Sequence, residues 1–138
     1  MVIISFDVGA RKIGVAICDK NQTIASPLKT LINNNNLDFE LKKIFEKYNP
    51  EKVLIGNPVN MDGSKNPDTD FVEKFTDKLK KIFPGMEIIF WDERMTSKDA
   101  EEMMIKFDVS RKKRKEKIDM VAAAIILRSY MDNLARKK

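Results

Sequence analysis

The chain has no histidine among its 138 residues. That removes one easy general base and leaves side-chain carboxylates as the groups to examine first. It has one cysteine, Cys18, so no internal disulfide can form. The apolar strand-like setting of that thiol marks it as a small core residue. Long hydrophobic runs are also missing. The longest wholly apolar stretch, Met120 to Leu127, falls far short of the roughly 20 residues that span a bilayer. The first residues, Met1-Val2-Ile3-Ile4-Ser5-Phe6-Asp7, carry no basic segment and meet an acid early, so they do not read as a signal peptide. No internal repeat is evident, and the single low-complexity piece, Asn33 to Asn36, reads as a polar loop before a helix. No membrane segment is expected, and a reducing cytoplasm is the expected setting.

What remains is the composition of an ordinary folded domain, with 43% hydrophobic residues. The length predicts a single domain over residues 1–138, able to bury about 65–70% of the surface its unfolded chain exposes. Lysine and arginine outnumber aspartate and glutamate by 26 to 21, for a net charge of +5. That bias is modest, and its distribution says more. Arg111-Lys112-Lys113-Arg114-Lys115-Glu116-Lys117 crowds cations directly before Asp119. Such a run reads as a solvated loop, and its place beside an acid also suits phosphate contact.

Periodicity predicts the order βββ-α-β-α-β-α-α. Strands are expected over Val2–Val8, Ile13–Cys18 and Thr23–Leu31, joined by hairpin-like turns. A helix over Leu37–Tyr48, a strand over Lys52–Gly56, a helix from Phe71 to Phe83 and a strand over Glu87–Trp91 follow. Thr96 or Ser97 can cap a further helix carrying Ala100, Met103, Met104 and Phe107, and the last helix runs from Ile118 to Leu134. The expected architecture is α/β. Its five-stranded mixed sheet combines a three-strand antiparallel meander with parallel strands, and helices cover both faces.

Carboxylates stand where three separate elements end or begin: Asp7, the pair Asp92-Glu93, and Asp119. Acids converging from distant parts of a chain make an oxygen-only metal site, suited to Mg²⁺ or Mn²⁺. Asp7-Val8-Gly9 alone serves equally well as a turn device; Arg11 and Lys12 stand ready beside it for a phosphate. Asp92 and Glu93 must point to opposite faces of their strand, and alternation does not choose between them. Asp119 shares a helical face with Ala122, Ala123, Ile126 and Tyr130, so it lies on the inward side and needs a partner. Ala122-Ala123-Ala124 fits close approach of that helix to a sheet. Finally, Gly56 to Ser64 is a turn-rich loop after a strand, in which Asn60 and Ser64 offer neutral hydrogen bonds to a phosphate or sugar.

These motifs, in this order, resemble the YqgF (RuvX) family. The likeness rests on Asp7-Val8-Gly9 with Ile13-Gly14-Val15-Ala16, and on Gly56-Asn57-Pro58 with Asn60-Met61-Asp62-Gly63-Ser64. Asp92-Glu93-Arg94 with Thr96, and Asp119 with Ala122-Ala123 and Leu127, complete it. The likeness runs from Met1 to about Asp132. Asn57 departs from the pattern, which usually has an apolar residue there. The resemblance implies an RNase H-like fold related to the Holliday junction resolvase RuvC. It also implies a nuclease that matures the 5′ end of 16S rRNA, with a four-way DNA junction as the second substrate. By similarity Asp7, Glu93 and Asp119 take the three acidic positions, as catalytic groups and as ligands of two Mg²⁺ or Mn²⁺ ions. Arg11, Lys12, Asn60, Ser64, Arg94, Arg111, Lys112, Lys113 and Arg114 are expected to hold nucleic acid, mostly through phosphates. The protein is expected to be a monomer or a homodimer, and junction cleavage at two sites requires the dimer. Two rival readings stand beside this one. One is a non-catalytic RNA-binding assembly factor. The other is an ATP-binding domain, because Asp-x-Gly followed by Gly-Val-Ala also resembles the first phosphate loop of the actin and sugar-kinase superfamily.

Overall fold

An unbroken apolar run with a single hydroxyl, Ile3-Ile4-Ser5-Phe6, suits only a strand covered on both sides. The computed structural model places it so. It describes residues 2–22, 24–57, 69–92 and 111–136, with 111–118 and 136 by backbone alone. Strand β1 (Ile3–Val8) is the middle of five. β2 (Lys12–Cys18) and β3 (Ala25–Ile32) pair antiparallel on one side of it, while β4 (Lys52–Asn57) and β5 (Glu87–Asp92) run parallel on the other. The sheet order is β3-β2-β1-β4-β5. This is the mixed sheet expected from the sequence.

Alternation divides the side chains between two cores. Ile4, Phe6 and Val8 face helices α1 (Leu37–Tyr48) and α2 (Thr69–Ile82), with Ile13, Val15, Val53 and Ile55 beside them. Phe6 meets Phe75 edge-on at 4.9 Å, and Phe45 stacks on Phe83 at 3.9 Å, so rings from both helices lock onto the central strand. The opposite face carries Ile3, Ala16, Cys18 and Leu54, covered by Ala123, Ala124 and Leu127 of helix α3 (Arg111–Arg136). Small residues there let the helix backbone come close, as the alanine run implied. Asn49, with φ 46°, takes the left-handed cap that ends α1, and its N–H donates to the Phe45 carbonyl at 2.8 Å.

Two expectations change. The cationic run at 111–117 is helical backbone and not a loop. Lysine, arginine and glutamate are strong helix formers, and the core-packed part of α3 supplies the nucleus from which that end propagates. The strands also shift by a residue or two, with β3 over Ala25–Ile32 where Thr23–Leu31 was expected. The helix expected around Ala100, Met103, Met104 and Phe107 lies outside the described residues. Among the described residues no helix is long and apolar enough to cross a membrane.

Cys18 fills the small core position assigned to it, at 3% exposure. The Ile3 N–H donates to its sulfur at 3.2 Å. Burial pushes its pKa above the ordinary thiol value, with the Ile3 N–H working in the opposite direction. The thiol is therefore protonated at neutral pH as well as covered. A thiol-reactive chromogenic reagent is expected to leave native protein unmodified and to titrate one thiol after unfolding. Rapid modification of the native state would contradict this packing.

Candidate active site

The site begins with a glycine. Asp7 of β1 is the cross-strand partner of Gly14 of β2, and directly opposed residues share a face of the sheet. A Cβ built on Gly14 would overlap the Asp119 carbonyl and lie 3.0 Å from the Met120 nitrogen. The backbone of α3 at Asp119 thus rests on the residue beside Asp7. One helical turn further, the Ser5 hydroxyl donates to the Ala123 carbonyl at 2.8 Å. Two strand residues advance about 6.6 Å and four helical residues about 6 Å, so the two contacts keep step. Helix α3 therefore runs antiparallel to β1, and its Asp119 arrives on Asp7's face at the strand's C-terminal end. Both acids are half-buried.

The register of β5 gives the face that Asp92 occupies. Trp91 donates its indole N–H to the Ser129 hydroxyl at 3.3 Å and meets Tyr130 edge-on at 5.4 Å, so it faces α3. Asp92 follows it and pairs with Asn57. Asn57 in turn lines a groove with Val72 and Thr76 of α2. Asp92 therefore lies on the sheet face away from Asp7. Glu93 lies outside the described residues, as do Asn60, Ser64 and Arg94. Among the described residues no group of three acids or thiols gathers to hold a metal. The structure brings Asp7 and Asp119 to one place and removes Asp92 from it.

Among the described residues, the phosphate-binding candidates fall at the same end. Arg11 and Lys12 are exposed at the β1–β2 turn. Lys12 stands two residues from Gly14 in β2, hence on Asp7's face. The Gly9 N–H donates to the Lys12 carbonyl at 2.9 Å, and a Cβ on Gly9 would meet that same oxygen at 2.9 Å, so the turn itself accounts for this glycine. Arg111, Lys112, Lys113 and Arg114 form the first turn of α3, which holds no acid. That turn begins about 12 Å along the helix axis from Asp119.

Two residues of the site went unread in the sequence. Ser5 looked like one more strand position, and Gly14 like part of a strand motif. A glycine inside a β-branched run does signal close backbone approach, but it cannot name the neighbour.

This sheet, with an acid-bearing helix laid across its meander, is the RNase H-like fold. The fowlpox virus resolvase solved with substrate Holliday junction DNA matches with TM-score 0.61 at 19% identity, covering 97% of this chain and 99% of that one. Thermus thermophilus RuvC in complex with a Holliday junction substrate matches with TM-score 0.61 at 11% identity, covering 99% and 96%. The RuvX family model, described as Holliday junction resolvase, matches residues 1–133. A relative from Thermoanaerobacter pseudethanolicus named "Putative pre-16S rRNA nuclease" is 43% identical over 140 residues, covering 99% of this chain and all of the relative. One of the same name from Caldanaerobacter subterraneus is 42% identical over 136 residues, covering 96% and 97%. The chain belongs to the RuvX family.

Proposed function

We propose that the chain is a metal-dependent endonuclease that hydrolyses phosphodiester bonds in precursor 16S rRNA, in the cytoplasm, during ribosome assembly. The observation that carries this reading is the convergence of Asp7 and Asp119 over Gly14, at the end of the sheet where Arg11 and Lys12 also stand. Two half-buried carboxylates on one face, with no histidine or thiol beside them, form a donor set that fits Mg²⁺ or Mn²⁺. Asp7 and Asp119 would hold the ions, with Glu93, which the likeness to the family favours, as the third ligand. When bound, a divalent pair supplies water activation and stabilisation of the leaving 3′ oxygen. Arg11, Lys12 and the first turn of α3 would draw the strand in and orient it by its phosphates, with little reading of bases. Arg94, Asn60 and Ser64 are assigned further contacts to the strand. The description of the family model favours branched DNA as the second substrate, and symmetric cleavage of a junction would then require a homodimer.

The test compares cleavage of a 16S precursor fragment, a generic single strand and a four-way junction, with Mg²⁺ or Mn²⁺ and with chelator. Wild type is expected to cut the precursor fragment fastest and to stop in chelator. Asp119→Asn is expected to bind but not cut. Wild-type inactivity on all three substrates would replace the enzyme with a binding factor, and full turnover by Asp119→Asn would remove that acid from the reaction.

A further inference from the structure

A cleft of about 300 Å³ lies between β3 and α1, away from the acids, and lysines dominate its charge. Its form traces to a bulge. The β2–β3 register slips between Val15, paired with Lys29, and Ala16, paired with Pro27, which leaves Leu28 over. Leu28 packs against the core under α1, while the Lys29 ammonium donates to Glu40 of α1 at 2.8 Å. Two consecutive β3 residues thus serve the same face, one as floor and one as wall. Glu40 is the sole acid among the lining residues, and it is committed to Lys29; that contact lowers its pKa. Lys43 and Lys47 complete the wall from α1.

Phe39, Lys43 and Lys47 are four residues apart, so they form one line down α1 at about 6 Å intervals. Phe39 is 63% exposed, and the Lys43 ammonium stands 5.4 Å from its ring centroid. Lys47 stands 5.3 Å from the Tyr48 ring. The head of this line joins the candidate active site. Ile32, 53% exposed, pairs with Lys12, and the Asn33 N–H donates to the Arg11 carbonyl at 2.8 Å. From the β1–β2 turn the exposed Ile32 and the neutral Asn33–Asn36 segment therefore lead over the end of the sheet to Phe39 and the two lysines on α1.

We propose that this line and cleft are a second contact for single-stranded nucleic acid, holding the strand that runs on from the acids. Lys43 and Lys47 take phosphates, and Phe39 offers its face to an unpaired base. An exposed ring beside a basic groove suits a strand whose bases are unstacked, which selects single strand over duplex. The inference rests on the nuclease reading, and it adds where the substrate goes and in what form.

The experiment measures anisotropy of labelled unstructured RNA in chelator, with one strand of about 4 nucleotides and one of about 16. The double variant Lys43→Ala/Lys47→Ala is expected to bind the long strand roughly 10-fold more weakly at moderate salt. Its slope of log affinity against log salt should be shallower by about 1.4, the value for two single-strand phosphates. Phe39→Ala should cost roughly five-fold on the long strand. The short strand, which reaches only the acid end, should bind all variants like wild type, and Lys43→Arg/Lys47→Arg should keep long-strand affinity. Unchanged long-strand binding by the alanine variants, or equal loss on both strands, would overturn the cleft and leave the nuclease reading standing. If wild type binds neither strand, both proposals fall.

Discussion

Gly14→Ala is expected to cut metal-dependent cleavage by about 100-fold or more and to lower the melting temperature by on the order of 10 °C. The new methyl group would occupy the position of the Asp119 carbonyl, and that atom is helix backbone, not the far end of a flexible side chain. Side-chain repacking cannot relieve the overlap, so α3 must move off β2. Overpacking a close contact costs about 1–3 kcal/mol, and a backbone neighbour places this case at the top of that range. The same movement carries Asp119 away from Asp7. A displacement of about 1 Å between groups that must act together costs roughly two orders of magnitude in rate. Gly85→Ala separates the two effects. Gly85 has φ 92° with nothing within 4 Å of its built Cβ, so alanine there meets backbone strain of about 1–2 kcal/mol but no neighbour. It should melt earlier and cut at the wild-type rate. If Gly14→Ala behaved like Gly85→Ala, the close approach of α3 would be unimportant to the site.

The elements legible in the sequence are those whose signals are local. Helix α1 has its expected bounds because its apolar spacing is flanked by an asparagine tract and by Asn49-Pro50. The central meander was legible from turns between apolar strands. What was not legible depends on register between segments far apart in the chain. The face of Asp92 follows from Asn57 being its partner, which no window around Trp91 contains. The close approach at Gly14 involves a helix residue over a hundred positions later, so only the absence of a side chain was visible beforehand. The cationic run of α3 has the charge pattern of a solvated segment, whereas its helicity is propagated from the core-packed turns behind it. The β3 bulge, which builds the lysine cleft, leaves no turn residue to mark it except Pro27 in an edge strand.

That Asp92 lies across the sheet from Asp7 gives the sharpest test of which acids work. Asp7→Asn keeps shape and hydrogen bonding but removes a charge from a face where Asp119 already stands. The protein should fold, since Asp7 is only half-buried at a strand end and asparagine keeps the side chain's size and shape. RNA binding should persist, because the phosphate contacts come from Arg11, Lys12 and the start of α3. Metal-dependent turnover should fall by about 1,000-fold or more, the equivalent of the several kcal/mol that a correctly held divalent ion supplies. Asp92→Asn changes the same chemical group one residue before Glu93 in the chain, on the α2 side beside Asn57. Its turnover should stay within a few-fold of wild type, and Glu93→Gln should behave like Asp7→Asn. The readout is single-turnover cleavage at saturating Mg²⁺ and again across a Mn²⁺ titration, with melting curves alongside. Loss at Asp92 with normal turnover at Glu93 would reverse the assignment and require β5 to leave its pairing with β4 before the site. Loss at both would mean that Asp92, which the register of β5 turns away from Asp7, serves the reaction as well.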